Sequence, residues 1–547
     1  MSKISINLSG IKGLAPRFYG NRNDDNSFNN QEAILGVNGQ VADGVYNPIN
    51  NLGFLYPASN TYTNYGVTTA SAGFNDVFIN GVINGKDDEI YFLNTNNSVY
   101  EVQDITNTTS GTNDADDFVE RITATSAVGT DSILYELNGV QKYYWTYRNN
   151  ASGLGNMGVA TLPDLTNSTA VFLSASPVNA FSLGSNNHKL VVADNGFMYI
   201  LDGSAVHKFN GSISGGTNGT VTPNVLLFPA FFQLVDAIDI RGRMWIAINR
   251  TSRNIRSTTA PPSYNELAGV YIWDRQSGAV NMTDFISIDG IREIRVMFSF
   301  HGIPHCFTVS SDGLVQIRKF DGNEFKIIKE LGKNAHPRLP GSISIEGDIV
   351  TWVGEDGFIY SYGKPDSNLE DGLFKIGKLI NTPTYTGAIL KVLEPSGDPD
   401  DGYYYLSYKH ASSTAYNMWY PYGNGASGGQ LKTSAVSDTI YYPLVELPKL
   451  SHSTELTLYM KPSAGTGSTI HGYLDIYFNM SASTAITIPI IRTDIGRGYI
   501  YQPIGISDSG SNYIQLAFRY DGSAPNFSQE LMPIKADIEY EQRGKKK

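Results

Sequence analysis

Asp-Gly and Asn-Gly pairs, set between short runs of β-branched and aromatic residues, constrain this chain more than any other feature. The clearest unit is Pro304 to Gly322. One run, Pro304 to Ser311, meets Asp312-Gly313. A second, Leu314 to Phe320, leaves it, and Asp321-Gly322 closes the unit. A glycine adopts φ > 0 without steric cost, so such a pair between two strand-forming runs specifies a hairpin. The same pattern recurs from His188 to Gly211, around Asn195-Gly196 and Asp202-Gly203, and from Asp348 to Gly363, around Asp356-Gly357. Looser copies lie at Glu89 to Val102, Arg243 to Asp274 and Tyr403 to Gly423. Gly269, Gly313 and Gly357 each precede an outgoing run and are spaced 44 residues apart. That is about the length of one four-stranded propeller blade.

Long amphipathic helical patterns are missing, which removes the helical solenoids that share this period. The sequence therefore predicts an all-β chain whose middle is a β-propeller of six to seven blades. Candidate blades centre near residues 95, 140, 197, 260, 313, 357 and 412. The expected layout is an extended N-terminal arm over residues 1–60, which partly completes the propeller or contacts neighbours. The propeller spans 61–425, and a C-terminal, jelly-roll-like β-sandwich spans 431–547. A Gly-rich stretch, Gly423 to Gln430, reads as the linker between the last two. After it the strands alternate cleanly. Leu456, Leu458 and Met460 share a face, as do Leu474, Ile476, Phe478 and Met480. Ile486, Ile488 and Ile490 form a third set, and Ile514, Leu516, Phe518 and Tyr520 a fourth. One apolar face per strand predicts two sheets packed together.

Hydrophobic residues make up 41 % of the 547, enough for a packed core, and only 17 % are charged. The formal net charge is −12, and no Lys/Arg stripe alternates with aromatics. Counterion release needs clustered cations, so sequence-specific nucleic-acid binding is not expected. Cys306 is the single cysteine, which excludes an internal disulfide. No apolar run is long enough to span a bilayer, and Met1 to Asn7 has no signal-peptide core. Synthesis in a cytoplasm is the expectation.

Candidate chemistry is sparse. Gly425-Ala-Ser427-Gly-Gly429 matches a nucleophile-elbow pattern, but turn and glycine residues flank it where a strand and a helix are required. His301, His305 and Cys306 are close in sequence. Gly302 and Pro304 oppose a helix, and on a strand the two histidines stand about 13 Å apart, with no second ligand cluster. Asp114, Asp116 and Asp117, and Asp398, Asp400 and Asp401, read as solvated turns because EF-hand spacing is absent. Propeller glycosidases use two carboxylates from strands far apart in sequence, a pairing that one sequence does not reveal. Tyr403 to Tyr405, Trp419-Tyr420 and Tyr499 to Tyr501 could stack on sugars or pack in an interface. No catalytic, cofactor-binding or metal residue is assigned, and no cofactor is expected.

At the N-terminus, Gly13-Leu-Ala-Pro-Arg17, Gln31-Glu-Ala33, Val41-Ala-Asp-Gly44 and Gly53-Phe-Leu-Tyr-Pro57 together resemble the opening of tailed-bacteriophage virion proteins, of the tail or tail-nozzle type that carries a β-propeller. The resemblance implies a non-enzymatic structural component of a virion tail, made in the host cytoplasm. It also implies partnership with itself in a homo-oligomeric ring and with other tail proteins. Two alternatives stand beside it: a tail protein that binds a host surface glycan, and a propeller that degrades glycans with channel carboxylates.

Overall fold

The computed structural model describes residues 2–7, 13–14, 32–33, 39–42, 45–48, 77–84, 89–102, 118–122, 127–137, 139–149, 154–163, 165–170, 182–185, 187–209, 221–251, 264–363, 371–378, 383–393, 402–410, 415–422, 439–441, 445–460, 467–478, 486–503, 511–520 and 533–542. Seven small antiparallel sheets follow one another between residues 78 and 422. Blades 1 to 6 have four strands each, laid side by side in chain order, and blade 7 has three among the described residues. The seven hairpin centres read from the sequence fall one in each sheet.

The first strand of every blade lines the axis. These inner strands are Phe78–Asn84, Ala127–Leu137, His188–Val192, Phe232–Ile240, Ile291–Phe300, Ile343–Glu346 and Pro383–Leu393. Each of the first four packs on its successor, and the sixth packs on the seventh. Blades 5 and 6 share a core of Val296, Phe298, Phe307, Trp352 and Tyr360. The seventh inner strand returns to the first, closing the ring. At that closure Phe78 N donates to Ser407 Oγ at 2.8 Å. Gly387 stands so near that a Cβ on it would lie 2.1 Å from the Phe78 carbonyl oxygen.

Stacking covers both faces of a blade. In the second strand of blade 5, Ile303–Ser310, every residue after the first is buried. Burial on both faces leaves this strand without polar–apolar alternation, and it takes in His305, Thr308 and Ser310 as well as apolar residues. The turns also settle the register of the repeating unit. Gly313 (φ 87) and Gly357 (φ 85) both stand between the second and third strands of their blades. Asn195-Gly196 instead turns the first hairpin of blade 3, and Asp202-Gly203 is the equivalent of the other two. Gly269 is not a turn residue: it lies within Tyr264–Trp273, where a Cβ would meet the Ile286 carbonyl oxygen at 2.3 Å.

The C-terminal strands form a sandwich. Val445–Met460 is long enough to serve both layers. Val445 and Glu446 pair with Ile514 and Tyr513, while Ser451 to Met460 pair with Pro533–Gln542. Leu456, Leu458, Leu474, Ile476, Ile490, Ile514, Leu516 and Phe518 fill its core as the alternation predicts. The expected N-terminal arm divides. Ser2–Asn7 pairs antiparallel with Pro533–Gln542 and so belongs to the sandwich rather than to the ring. Gly13–Leu14 and Gly39–Ala42 lie against Gly372–Lys378, the outer strand of blade 6. The Gly-rich linker from 423 to 430 lies outside the described residues.

Candidate functional site at the ring axis

Neighbouring strands in a blade are antiparallel. The end of the ring where the inner strands start therefore also carries the turn between second and third strands and the links between blades. Chemistry gathers at this entry face. Five inner strands bulge near their beginnings, and three of these bulges, between Phe78 and Asn80, between Gly129 and Asp131, and between Leu234 and Asp236, bear on the site. A bulge re-aims the side chain that follows it. Here those side chains are Asn80, Asp131 and Asp236, and each reaches toward the next blade.

Asp131 Oδ1 accepts the Asn80 amide at 2.6 Å, and its Oδ2 accepts Leu190 N–H at 2.7 Å. Asp236 Oδ2 accepts Met297 N–H at 2.8 Å, and its Oδ1 accepts Ala237 N–H at 2.9 Å. Lys189, on the blade between them, stands 3.5 Å from Asp131 and 4.0 Å from Asp236. The two carboxylates are 4 % and 1 % exposed. Burial pushes Asp236 up to about 6, against the pull of Lys189 and of the two N–H donors. For Lys189 burial acts downward, but the charges of Asp131 and Asp236 outweigh it and hold the ammonium above its ordinary range.

Asn80 and Lys189 face a cavity of about 240 Å³ on the axis. Its opposite wall is the link from blade 5 to blade 6, which ends in a short 3-10 turn, Pro340–Ser342, seated against the inner strands of blades 1 and 7. Only glycine fits at 341, where a Cβ would lie 2.2 Å from the Ile79 carbonyl oxygen. Ser344 and several aliphatic side chains, among them Ile83, Ile345 and Ile389, also line it.

A second cavity, of about 330 Å³, opens on blade 3 beside Asp202, His207, Ser204 and Asn224. Asp202 accepts Gly184 N–H at 2.6 Å and Ser185 N–H at 2.7 Å. His207 Nε2 is 3.4 Å and His188 Nε2 is 3.8 Å from its two oxygens. Burial would raise this carboxyl. The His207 hydrogen bond, the His188 charge, the Ser185 side chain and the Gly184 N–H outweigh it and hold Asp202 at about 2. Burial also lowers His188, whose Nδ1 is 3.0 Å from Thr130 Oγ1.

The sequence candidates are placed elsewhere. His301 turns the first hairpin of blade 5 at φ 52, 3.5 Å from Asp348. His305 is buried on the next strand, stacked on Phe298 and bonded to the Ile303 carbonyl, and burial lowers it to about 4. Cys306 points to the other face of that strand, where burial raises its thiol to about 12. Tyr499 and Tyr501 are half exposed, with Ile500 buried between them. Ser427, both acidic turn clusters, and the side chains of Tyr403 to Tyr405, Trp419 and Tyr420 lie outside the described residues. Sequence reading missed Asp131, Lys189 and Asp236. The available signal was a lone charge inside an apolar strand, as in Leu234-Val-Asp-Ala-Ile238.

No family model and no curated protein matches this chain. Among solved structures it is similar to an exo-β-1,3-galactanase from Phanerochaete chrysosporium bound to galactose. The identity is 10 %, covering 88 % of this chain and 97 % of that one, with a TM-score of 0.29. A variant of the same enzyme with β-1,3-galactotriose gives 10 % identity, 87 % and 100 % coverage and the same TM-score. Both neighbours are described as galactanases and neither as a virion protein; the expectation of a non-enzymatic tail component is withdrawn. A likeness of this size transfers neither a residue nor a substrate. No helix among the described residues is long and apolar enough to cross a membrane.

Proposed function

We propose that the protein hydrolyses glycosidic bonds at the entry face of its axial cavity, with Asp236 as proton donor and Asp131 as the carboxylate that receives a proton from water. One observation carries this reading. Two carboxylates from inner strands more than a hundred residues apart converge on one ammonium beside a polar cavity, and one of them is pushed up to about 6. Paired carboxyl groups with opposite roles are what glycoside hydrolysis needs. In the step, the Asp236 carboxyl gives its proton to the departing glycosidic oxygen. Water adds to the anomeric carbon, and Asp131 takes up the proton that water releases. Atoms and charge balance without a cofactor. Asn80 is bonded to Asp131 and Lys189 stands against both acids, so substrate reaches them as those two side chains swing aside.

The test is reducing-end release by the full chain from a panel of neutral and acidic polysaccharides. Release is expected, with at least a hundredfold loss in Asp236→Asn and in Asp131→Asn at unchanged circular dichroism. The rate should fall as pH rises above about 6, because Asp236 then loses the proton it donates. Release from no polymer, or release undiminished in Asp236→Asn, overturns the proposal.

A second reading is favoured by the donors themselves. Leu190 N–H and Met297 N–H both come from the next blade, so each acid also fastens one blade to its successor. Under that reading the two Asn variants change the melting temperature and leave no activity to lose.

A further inference from the structure

A second group of charges stands on the entry face beside the axial cavity, drawn from blade 5, blade 6 and the link between them. Arg292 and Arg295, near the start of the blade 5 inner strand, both bind Glu293 Oε1, at 2.7 and 2.9 Å. Arg338 lies two residues before the 3-10 turn that walls the cavity. It reaches Glu355 Oε1 at 3.3 Å and covers the Tyr385 ring at 4.0 Å. The carboxylates lie beneath: the side chain of Glu293 is 3 % exposed and that of Glu355 24 %. The guanidinium-bearing side chains lie above, at 45 %, 30 % and 36 % exposure for Arg292, Arg295 and Arg338. Arg295 Nε is buried and makes no hydrogen bond. Three cations over two anions leave a local positive excess in a chain of net charge −12. His336, buried against Glu355, is lowered to about 4, first by burial and then by the charges of Arg295, Arg292 and Arg338, which marks all three as close to one point.

We propose that Arg292, Arg295 and Arg338 bind an anionic substituent of the glycan, a carboxylate or a sulfate ester, and so make the axial site selective for acidic polysaccharides. The inference rests on the glycan reading of that site. Guanidinium groups suit this task because their planar donors engage such oxyanions in pairs and remain charged at every working pH. General electrostatics opposes the contact, since the whole protein is acidic. Retention of a polyanion therefore requires a local site.

The experiment is affinity electrophoresis of the full chain through polygalacturonate, dextran sulfate and neutral dextran, with single-stranded DNA as a further polyanion. Wild type should be retarded by one or both acidic glycans and not by dextran, and the retardation should fade between 50 and 500 mM salt. Arg292→Gln with Arg338→Gln should weaken it at least tenfold. Lys326→Gln, on the opposite face, should leave it unchanged. The two acidic polymers separate carboxylate from sulfate recognition. Equal retardation by neutral dextran, retention unaffected in the arginine variant, or capture of DNA through the same arginines without any acidic glycan overturns the proposal. The two failures are distinguishable. Arginine-dependent retention without hydrolysis removes the catalytic reading and keeps this site. Hydrolysis of neutral polymers alone, insensitive to the arginines, does the reverse.

Discussion

Two arcs of the same ring are joined in different ways. From blade 1 to blade 5 the inner strands are linked at one level by Asn80, Asp131, Lys189 and Asp236, all polar and mostly buried. From blade 5 to blade 6 the core of the join is aromatic, with Trp352 stacked on Tyr360 and set edge-on to Phe307, and the Arg338–Glu355 ion pair stands at its entry face. Burying the aromatic rings is favourable in itself. Burying the charges costs desolvation that their partners only offset. Apolar cores also join blades 1 to 5 in neighbouring pairs, so the buried charges are an addition that packing does not require, and two of the polar groups, Asn80 and Lys189, line the axial cavity.

Four measurements bear on this contrast, from the largest effect to the smallest. Trp352→Ala empties the centre of the apolar join and frees the Ala335 carbonyl that Trp352 Nε1 now holds at 2.8 Å. It should cost about 3–5 kcal/mol in urea unfolding. Lys189→Met leaves two carboxylates without their cation. It should cost about 3 kcal/mol at pH 8 and clearly less at pH 4, where Asp236 holds a proton. Equal losses at both pH values would show that the polar arc behaves like the apolar one.

Asp236→Asn tests the sign of the buried charge. The folded carboxyl titrates at about 6 instead of 3.8, so the native state holds that proton more tightly than the unfolded chain. The stability it contributes is complete below about pH 4 and is lost as pH rises through about 6, on the order of 3 kcal/mol in all. The Asn variant should lack this slope and unfold above the wild-type temperature at pH 8. Ser407→Ala removes the acceptor of Phe78 N–H at the ring closure and should cost about 1 kcal/mol.

The architecture was legible because turns are local. Asp312-Gly313 and Asp356-Gly357 announce their hairpins without knowledge of anything distant. The sandwich was legible because one face of each strand meets water. Ile486–Ile491 alternates, with Ile488 and Ile490 inward and Thr487 and Pro489 exposed. The axial site was not legible. Lys189 sits between His188 and Leu190 with nothing in that strand to explain it. Its partners lie 58 residues before and 47 residues after it, brought near only by ring closure. Gly269 misled for a related reason. It matches the 44-residue spacing, yet its role is to let the Phe285 ring and the Ile286 carbonyl approach within a strand pair.

The pairing of Ser2–Asn7 with Pro533–Gln542 has a consequence for how the molecule is made. Ser5 and Asp537, hydrogen-bonded at 2.6 Å, are 532 positions apart, so Ser2–Asn7 waits through the synthesis of the whole propeller for its mate. During that interval the strand Ser2–Asn7 has bare backbone edges that any passing extended peptide can occupy. Once the two strands meet, the polypeptide is buckled like a belt.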